Sequence, residues 1–178
     1  MVDSTDSVGA GIDVDRPIMP DGYGVPVSAD GLRSWSGVEQ QLIEAMHVWL
    51  ATTRPDGRPH VVPRWGVWLD RRFWYDGSPD TVHARNLRTN PACSLNLESG
   101  ADVVIVEGTS KPSVPIFGEL GERLSEAFGQ KYGGRGYSPA PDAWSGPEAG
   151  GMLVFTPHKA MAWRDFPLDV TRFHFPDK

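Results

Sequence analysis

Residues Trp49 to Pro91 read WLATTRPDGRPHVVPRWGVWLDRRFWYDGSPDTVHARNLRTNP. In this stretch β-prone runs alternate with turn residues, and a short helical pattern closes it. Val48 to Thr53 is the first run. Pro55-Asp56-Gly57 then supplies a turn: proline presets φ, aspartate bonds nearby backbone and glycine accepts a positive φ. His60 to Leu69 is the next strand. Pro63 inside it has no N–H for a ladder, which calls for an edge, a bulge or a bound group beside it. Asp70 to Arg72 closes a hairpin and Phe73 to Asp76 runs back. Gly77 to Asp80 turns the chain, Ser78 or Asp80 is expected to cap a helix from Thr81 to Thr89, and Asn90-Pro91 stops it.

Upstream, residues 1–35 show no sustained periodicity and carry Pro17, Pro20 and Pro26, so an extended N-terminal arm is expected before one domain over 36–178. Ser36-Gly37-Val38-Glu39 has the form of a capping box. Val38, Leu42, Ile43 and Met46 then fall on one helix face. Downstream, Ala92 to Glu98 and Asp102 to Lys111 form a hairpin across Ser99-Gly100. Val103 to Val106 is apolar throughout and reads as a strand covered on both faces. Pro115 to Tyr132 reads as a helix with Phe117, Leu120, Leu124 and Phe128 on one side, weakened by Gly118 and Gly121. Gly133 to Gly151 is a loop rich in glycine and proline, a candidate lid, and it holds Tyr137 and Trp144. Met152 to Trp163 is the last strand, followed by the aromatic tail Thr171 to Phe175. Six short strands with a few helices imply an α+β protein, an antiparallel sheet built into a small barrel.

The 178 residues suit one domain with a real core, and the net charge of −6 comes without a basic cluster. A duplex-binding surface is therefore not expected. The single cysteine, Cys93, rules out a disulfide within the chain and reads as an inert core thiol. No apolar run reaches the length of a membrane span, and the acidic N-terminus lacks a signal-peptide layout, so a cytoplasmic protein is expected. His47, His60, His158 and His174 show no metal-ligand spacing, and no metal site is expected. There is no nucleophile elbow, P-loop or Gly-x-Gly-x-x-Gly after a strand, and no residue is marked as catalytic.

Ser78, Thr81, His83, Arg85 and Asn86 gather at the turn-to-helix junction. The first turn of a helix presents unbonded amides and a positive dipole end, to which two hydroxyls and an arginine fork add donors for an anion. An ordinary capped surface helix has the same residues. The aromatic content favours a ligand: seven tryptophans supply flat apolar walls, with Trp74 on one face of its strand and Phe73 and Tyr75 on the other. Arg64 beside Pro63 is awkward in a core and suits an acidic ligand group.

The order Leu50-Ala51-Thr52, Asp56-Gly57-Arg58-Pro59, Val62-Pro63-Arg64-Trp65, Phe73-Trp74-Tyr75, Thr81 to Leu87 and Asn90-Pro91 resembles the pyridoxamine 5′-phosphate oxidase-like split-barrel superfamily, including its flavin/deazaflavin oxidoreductase branch. The resemblance covers about residues 36–175. It implies an FMN-binding split barrel, homodimeric, with the cofactor in a groove between subunits. Cofactor contacts would fall on Val62, Pro63, Arg64, Trp65, Tyr75 and Asp76, and phosphate contacts on Ser78, Thr81, His83, Arg85 and Asn86. Where many members carry Arg-Lys, this chain has Val82 and His83, which weakens the grip on a phosphate. The resemblance leaves open an oxidoreductase passing hydride between FMN or coenzyme F420 and a small organic acceptor, and a non-catalytic split barrel that binds haem or a regulatory ligand. Trp65, Tyr75 and Trp144 are expected to shape the acceptor pocket.

Overall fold

The computed structural model describes residues 11–176, so the first ten residues of the expected arm lie outside it. The strands are β1 (Asp13–Asp15), β2 (Val48–Thr53), β3 (Pro59–Arg64), β4 (Val67–Leu69), β5 (Arg72–Tyr75), β6 (Ala92–Asn96), β7 (Val103–Pro112), β8 (Leu153–Trp163) and β9 (Thr171–His174). Three helices accompany them: α1 (Trp35–Glu44), α2 (Val82–Thr89) and α3 (Glu119–Tyr132). All pairings are antiparallel, in the order β1-β9-β8-β7-β6-β2-β3, with β5 carrying β4 and joining β8. β3 and β4 follow one another in the chain but are not paired, which leaves the barrel split between them.

Among the described residues nine strands stand where six were expected, for three reasons. Residues 60–69 are not one strand, because the chain leaves the sheet at Trp65-Gly66 and starts β4 at Val67. A Cβ on Gly66 would press into the Phe73 ring and sit 2.5 Å from the Trp74 carbonyl oxygen, so only glycine lets β4 cross that close to β5. The aromatic tail pairs with β8 as β9, from Ala162↔Thr171 to Lys159↔His174. Within the stretch expected as an arm, β1 extends the sheet through Asp13↔His174 and Asp15↔Arg172. Arg16 then fastens the chain by donating to the carbonyls of Ser28 (2.6 Å), Leu168 (3.0 Å), Val170 (3.3 Å) and Asp30.

The sheet separates two apolar cores. Leu50, Phe73, Tyr75, Leu95, Val106, Phe155 and Phe173 fill the barrel, and Trp35, Val38 and Leu42 of α1 close one end. Trp74 points the other way, into a second core with Leu124, Phe128, Tyr132, Trp144 and Met152. This is the strand alternation expected for residues 73–75.

Four local expectations are corrected. The cap of α1 is Ser34, whose Oγ accepts from the Gly37 amide at 3.3 Å; Glu39 instead accepts from Trp68 Nε1 at 2.9 Å. Ile43 is 44% exposed rather than on the buried face. α3 begins at Glu119, so Phe117 lies outside the helix and is 72% exposed. On β7, Val104 and Val106 are buried while Val103 and Ile105 are only half covered, so cover on both faces is not achieved within one chain. Ile105, Ala51 and the 52%-exposed Val61 belong to an open sheet face, part of which forms a groove of about 590 Å³ with Glu107 and Lys159. Among the described residues, no helix is long and apolar enough to cross a membrane.

Candidate functional site

β3 is an edge strand, hydrogen-bonded only to β2 among the described residues, so Pro63 costs the ladder nothing. At its end the chain turns outward, and Pro63, Arg64, Trp65, Asp76 and Tyr137 line a cleft of about 270 Å³. One wall is aromatic. Trp65 stacks on Tyr132 with centroids 4.7 Å apart and planes 5° apart, and meets Tyr137 edge-on at 6.4 Å. Its indole N–H donates to His47 Nε2 at 3.0 Å, fixing the ring's orientation.

Arg64 is the polar centre of the cleft. Its side chain lies against Gly77, where a Cβ would come within 2.8 Å of Nη2, and it donates to the Asp76 carbonyl. The guanidinium carbon stands 5.7 Å from the Tyr75 ring centroid. Burial lowers its affinity for the proton, yet no carboxylate pairs with it among the described residues. Nε is buried without a hydrogen-bond partner. A buried, unpaired donor on a charged group costs stability unless a ligand meets it.

Asp76 holds the opposite wall. Its Oδ2 accepts from the Tyr137 hydroxyl and from Trp144 Nε1 at 3.2 Å. Trp144 is itself buried, 5.5 Å from the Phe128 ring, and Ser125 Oγ donates to Pro139 O at 2.7 Å. The 133–151 segment is thus anchored through Tyr137, Pro139 and Trp144, and Tyr137 lines the cleft. Trp144 supports Asp76 from the core and does not reach the cleft surface.

α2 begins at Val82, six residues after Asp76. Thr81 is the N-cap, not Ser78 or Asp80, and its side chain does not cap the helix. Thr81 Oγ1 donates to Ser78 O at 3.0 Å and lies 3.2 Å from His83 Nε2. The first helical bond runs from the Arg85 amide to Thr81 O, which leaves the earlier amides of the turn ahead of the ladder. His83 is buried, and that burial, with Arg64 and then His60 nearby, pushes its pKa down to about 4. It is neutral at pH 7 and is no substitute for a permanent cation.

The remaining expected residues divide. Pro63, Arg64, Trp65 and Asp76 come together in the cleft, and Ser78 and Thr81 lie on the adjoining turn. Tyr75 has no open face: it is wholly buried, its hydroxyl 2.7 Å from Ser110 Oγ, and burial raises its pKa. Asn86 is buried and donates to Thr52 Oγ1 at 3.0 Å, fixing α2 to β2. Val62 is half-buried against the barrel core. Arg85 is exposed and donates to Asp80 O at 2.6 Å. Tyr137 was not anticipated at the cleft; it lies 61 residues from the Asp76 carboxylate it binds, and an aromatic in a glycine-rich loop was its only sequence signal. Cys93, at the sheet surface, has its pKa raised to about 12 by burial, as an inert thiol should. Among the described residues no cluster of three or more acids, histidines or cysteines could hold a metal ion.

A family model described as pyridoxamine 5′-phosphate oxidase matches residues 37–164. Among solved structures, a conserved hypothetical protein of Mycobacterium tuberculosis aligns with a TM-score of 0.59 at 23% identity, over 76% of this chain and 88% of that one. A protein described as F420 reductase gives 0.50 at 20% identity, over 80% and 98%. A haem-binding protein of Mycobacterium smegmatis gives 0.55 at 17% identity, over 76% and 57%. At such identities these likenesses establish the fold alone. No curated protein matches the chain in sequence.

Proposed function

The chain belongs to the pyridoxamine 5′-phosphate oxidase family, and from that premise we propose that it is an oxidoreductase using FMN or coenzyme F420 to pass hydride to or from a small organic acceptor. The observation that carries this reading is Arg64, a half-buried guanidinium with an orphaned Nε in a cleft walled by Trp65 and Tyr137. Flat walls suit a planar ring, and the unpaired cation suits its anionic end.

The ring supplies the hydride chemistry when bound; the protein binds, orients and shields it. Trp65, held from behind by Tyr132, offers a rigid surface, and Arg64 with the Ser78–Thr81 turn takes the phosphate. His83, neutral at pH 7, contributes a hydrogen-bonding ring next to Thr81 and no charge. Hydride transfer itself requires no nucleophile.

The open face bearing Ala51, Val61 and Ile105 supports a homodimer, since burying half-covered apolar residues is its driving force. In that assembly the cofactor would lie at the subunit seam.

The test is the absorbance spectrum of the purified protein together with titrations of FMN and F420. Flavin absorbance, or quenching of added deazaflavin fluorescence, is expected. Arg64→Ala should weaken binding by about 1.5–3 kcal/mol, the range for a charge-assisted bond. A Soret band with no affinity for either ring would refute the proposal in favour of haem.

A further inference from the structure

A cavity of about 360 Å³ opens at the opposite end of β5 from the cleft, with Arg71, Arg72, Thr156, His158 and Phe175 in its lining. None of these residues lines the cleft. Arg72 starts β5 and Tyr75 ends it, so about 13 Å of strand, at 3.3 Å per residue, separates Arg72 from Asp76. Three elements assemble the lining. Leu69 pairs with Arg72, which makes Asp70-Arg71 a two-residue hairpin loop with φ of 53° and 57°. Loops of that form favour glycine at the second position, and an arginine there holds a strained backbone. In β8 the register with β7 jumps from Glu107↔Lys159 to Gly108↔Pro157, leaving His158 as the extra residue of a β-bulge. Just past β9, the Phe175 amide donates to His158 O at 2.9 Å and brings its ring to the third side.

Arg72 decides what the cavity can hold. Its Nε is buried without a hydrogen-bond partner. The acids nearest to it along the hairpin and the bulge are engaged: Asp70 with Arg123 at 2.5 Å, and Glu107 with Lys159 at 2.8 Å. No carboxylate lines the cavity among the described residues. A guanidinium with a buried, unmet donor is satisfied by a charge-assisted bond from an anion. Thr156 and His158 add a hydroxyl and an imidazole, while Phe175, Pro157 and Pro176 supply apolar surface that a bare inorganic anion would leave uncovered. A ligand that uses the whole lining has an anionic head and a small apolar body.

We propose that this cavity is a second ligand site, separate from the cofactor cleft, that takes a small organic anion with its carboxylate or phosphate on Arg72 and its apolar body against Phe175. The head meets the Nε side of the guanidinium, where a donor is unused. The site is independent of what occupies the cleft, since the two share no lining residue.

NMR titration of the isotope-labelled full chain with benzoate, phenyl phosphate and, as a neutral control, benzyl alcohol tests this. At least one of the two anions should saturably shift the amides of Arg72, His158 and Phe175 and the Arg72 Nε resonance, leaving Trp65 and Gly77 unmoved. The anion that binds more tightly assigns the head group, and benzyl alcohol should bind at least about tenfold more weakly than that anion. Arg72→Gln should weaken the anion by about 10–100-fold, the loss of one charge-assisted bond, while Arg64→Ala leaves it within about twofold. Arg72→Lys keeps the charge without Nε and should lose about tenfold as well, which carries the test if the glutamine variant does not fold. No saturable shift with either anion, shifts centred on Trp65, or full affinity in a folded Arg72 variant would overturn the second site and leave the ring reading intact.

Discussion

His83 makes the folded protein sensitive to mild acid, and the size of the effect follows from its surroundings. The imidazole is buried under the first turn of α2, and burial, then Arg64, then His60 disfavour its protonation, lowering the pKa from 6.5 to about 4. The unfolded chain therefore binds this proton more tightly than the folded one. The stabilisation is complete above pH 6.5 and is lost as the pH falls toward 4. A tenfold difference in proton affinity between the folded and unfolded chain is worth about 1.4 kcal/mol, so this residue should account for a loss of about 2 kcal/mol by pH 5 and about 3 kcal/mol by pH 4. Urea unfolding of wild type and His83→Gln across pH 4–8 separates this group from the carboxylates, which titrate in both proteins. The difference in stability between the two should shrink by that amount on acidification. Parallel stability curves, or an NMR titration of His83 near 6.5, would refute the burial argument. An anion bound beside Arg64 should raise the folded-state pKa of His83, narrow its gap from the unfolded value and so reduce this acid loss.

Gly66→Ala should destabilise the protein by about 2–3 kcal/mol in urea unfolding, because the added methyl group meets the Phe73 ring and the Trp74 carbonyl with no room to retreat; a loss under about 0.5 kcal/mol would show that β4 can move aside. Asp102 receives Arg33 Nη1 at 2.8 Å, Arg164 Nε at 2.7 Å and Gln41 Nε2 at 2.7 Å, and although burial alone would raise its pKa, the two arginines hold it below the usual carboxylate range. Asp102→Ala should cost about 1–2 kcal/mol, allowing for the screening of a site open to solvent, and an unchanged unfolding midpoint would mean that these contacts contribute nothing net.

Much of the fold was legible because its signals are local. β2 spans Val48–Thr53 as read, the Asp56-Gly57 turn follows, and Asn90 ends α2 ahead of Pro91. Proline, glycine and period-two apolar patterning act through φ/ψ and the pleat within a few residues, so they need no tertiary context. Part of the cleft lining was legible as well: Pro63, Arg64, Trp65 and Asp76 come together there.

Tertiary structure decided what depends on distant partners. Whether Tyr75 faces a ligand or Ser110, whether His83 is an exposed donor or a buried neutral ring, and whether Trp144 belongs to a lid or to the core turned on elements far away in sequence. Tyr137 reaches Asp76 only because α3 and the 133–151 segment pack on the outer side of β4 and β5. The departure of β4 from the sheet at Gly66 and the pairing of β1 with β9 have the same origin. A strand's own residues specify that it is extended and which side chains alternate; which strand it meets, and which of its faces stays open, is set by packing summed over the whole chain.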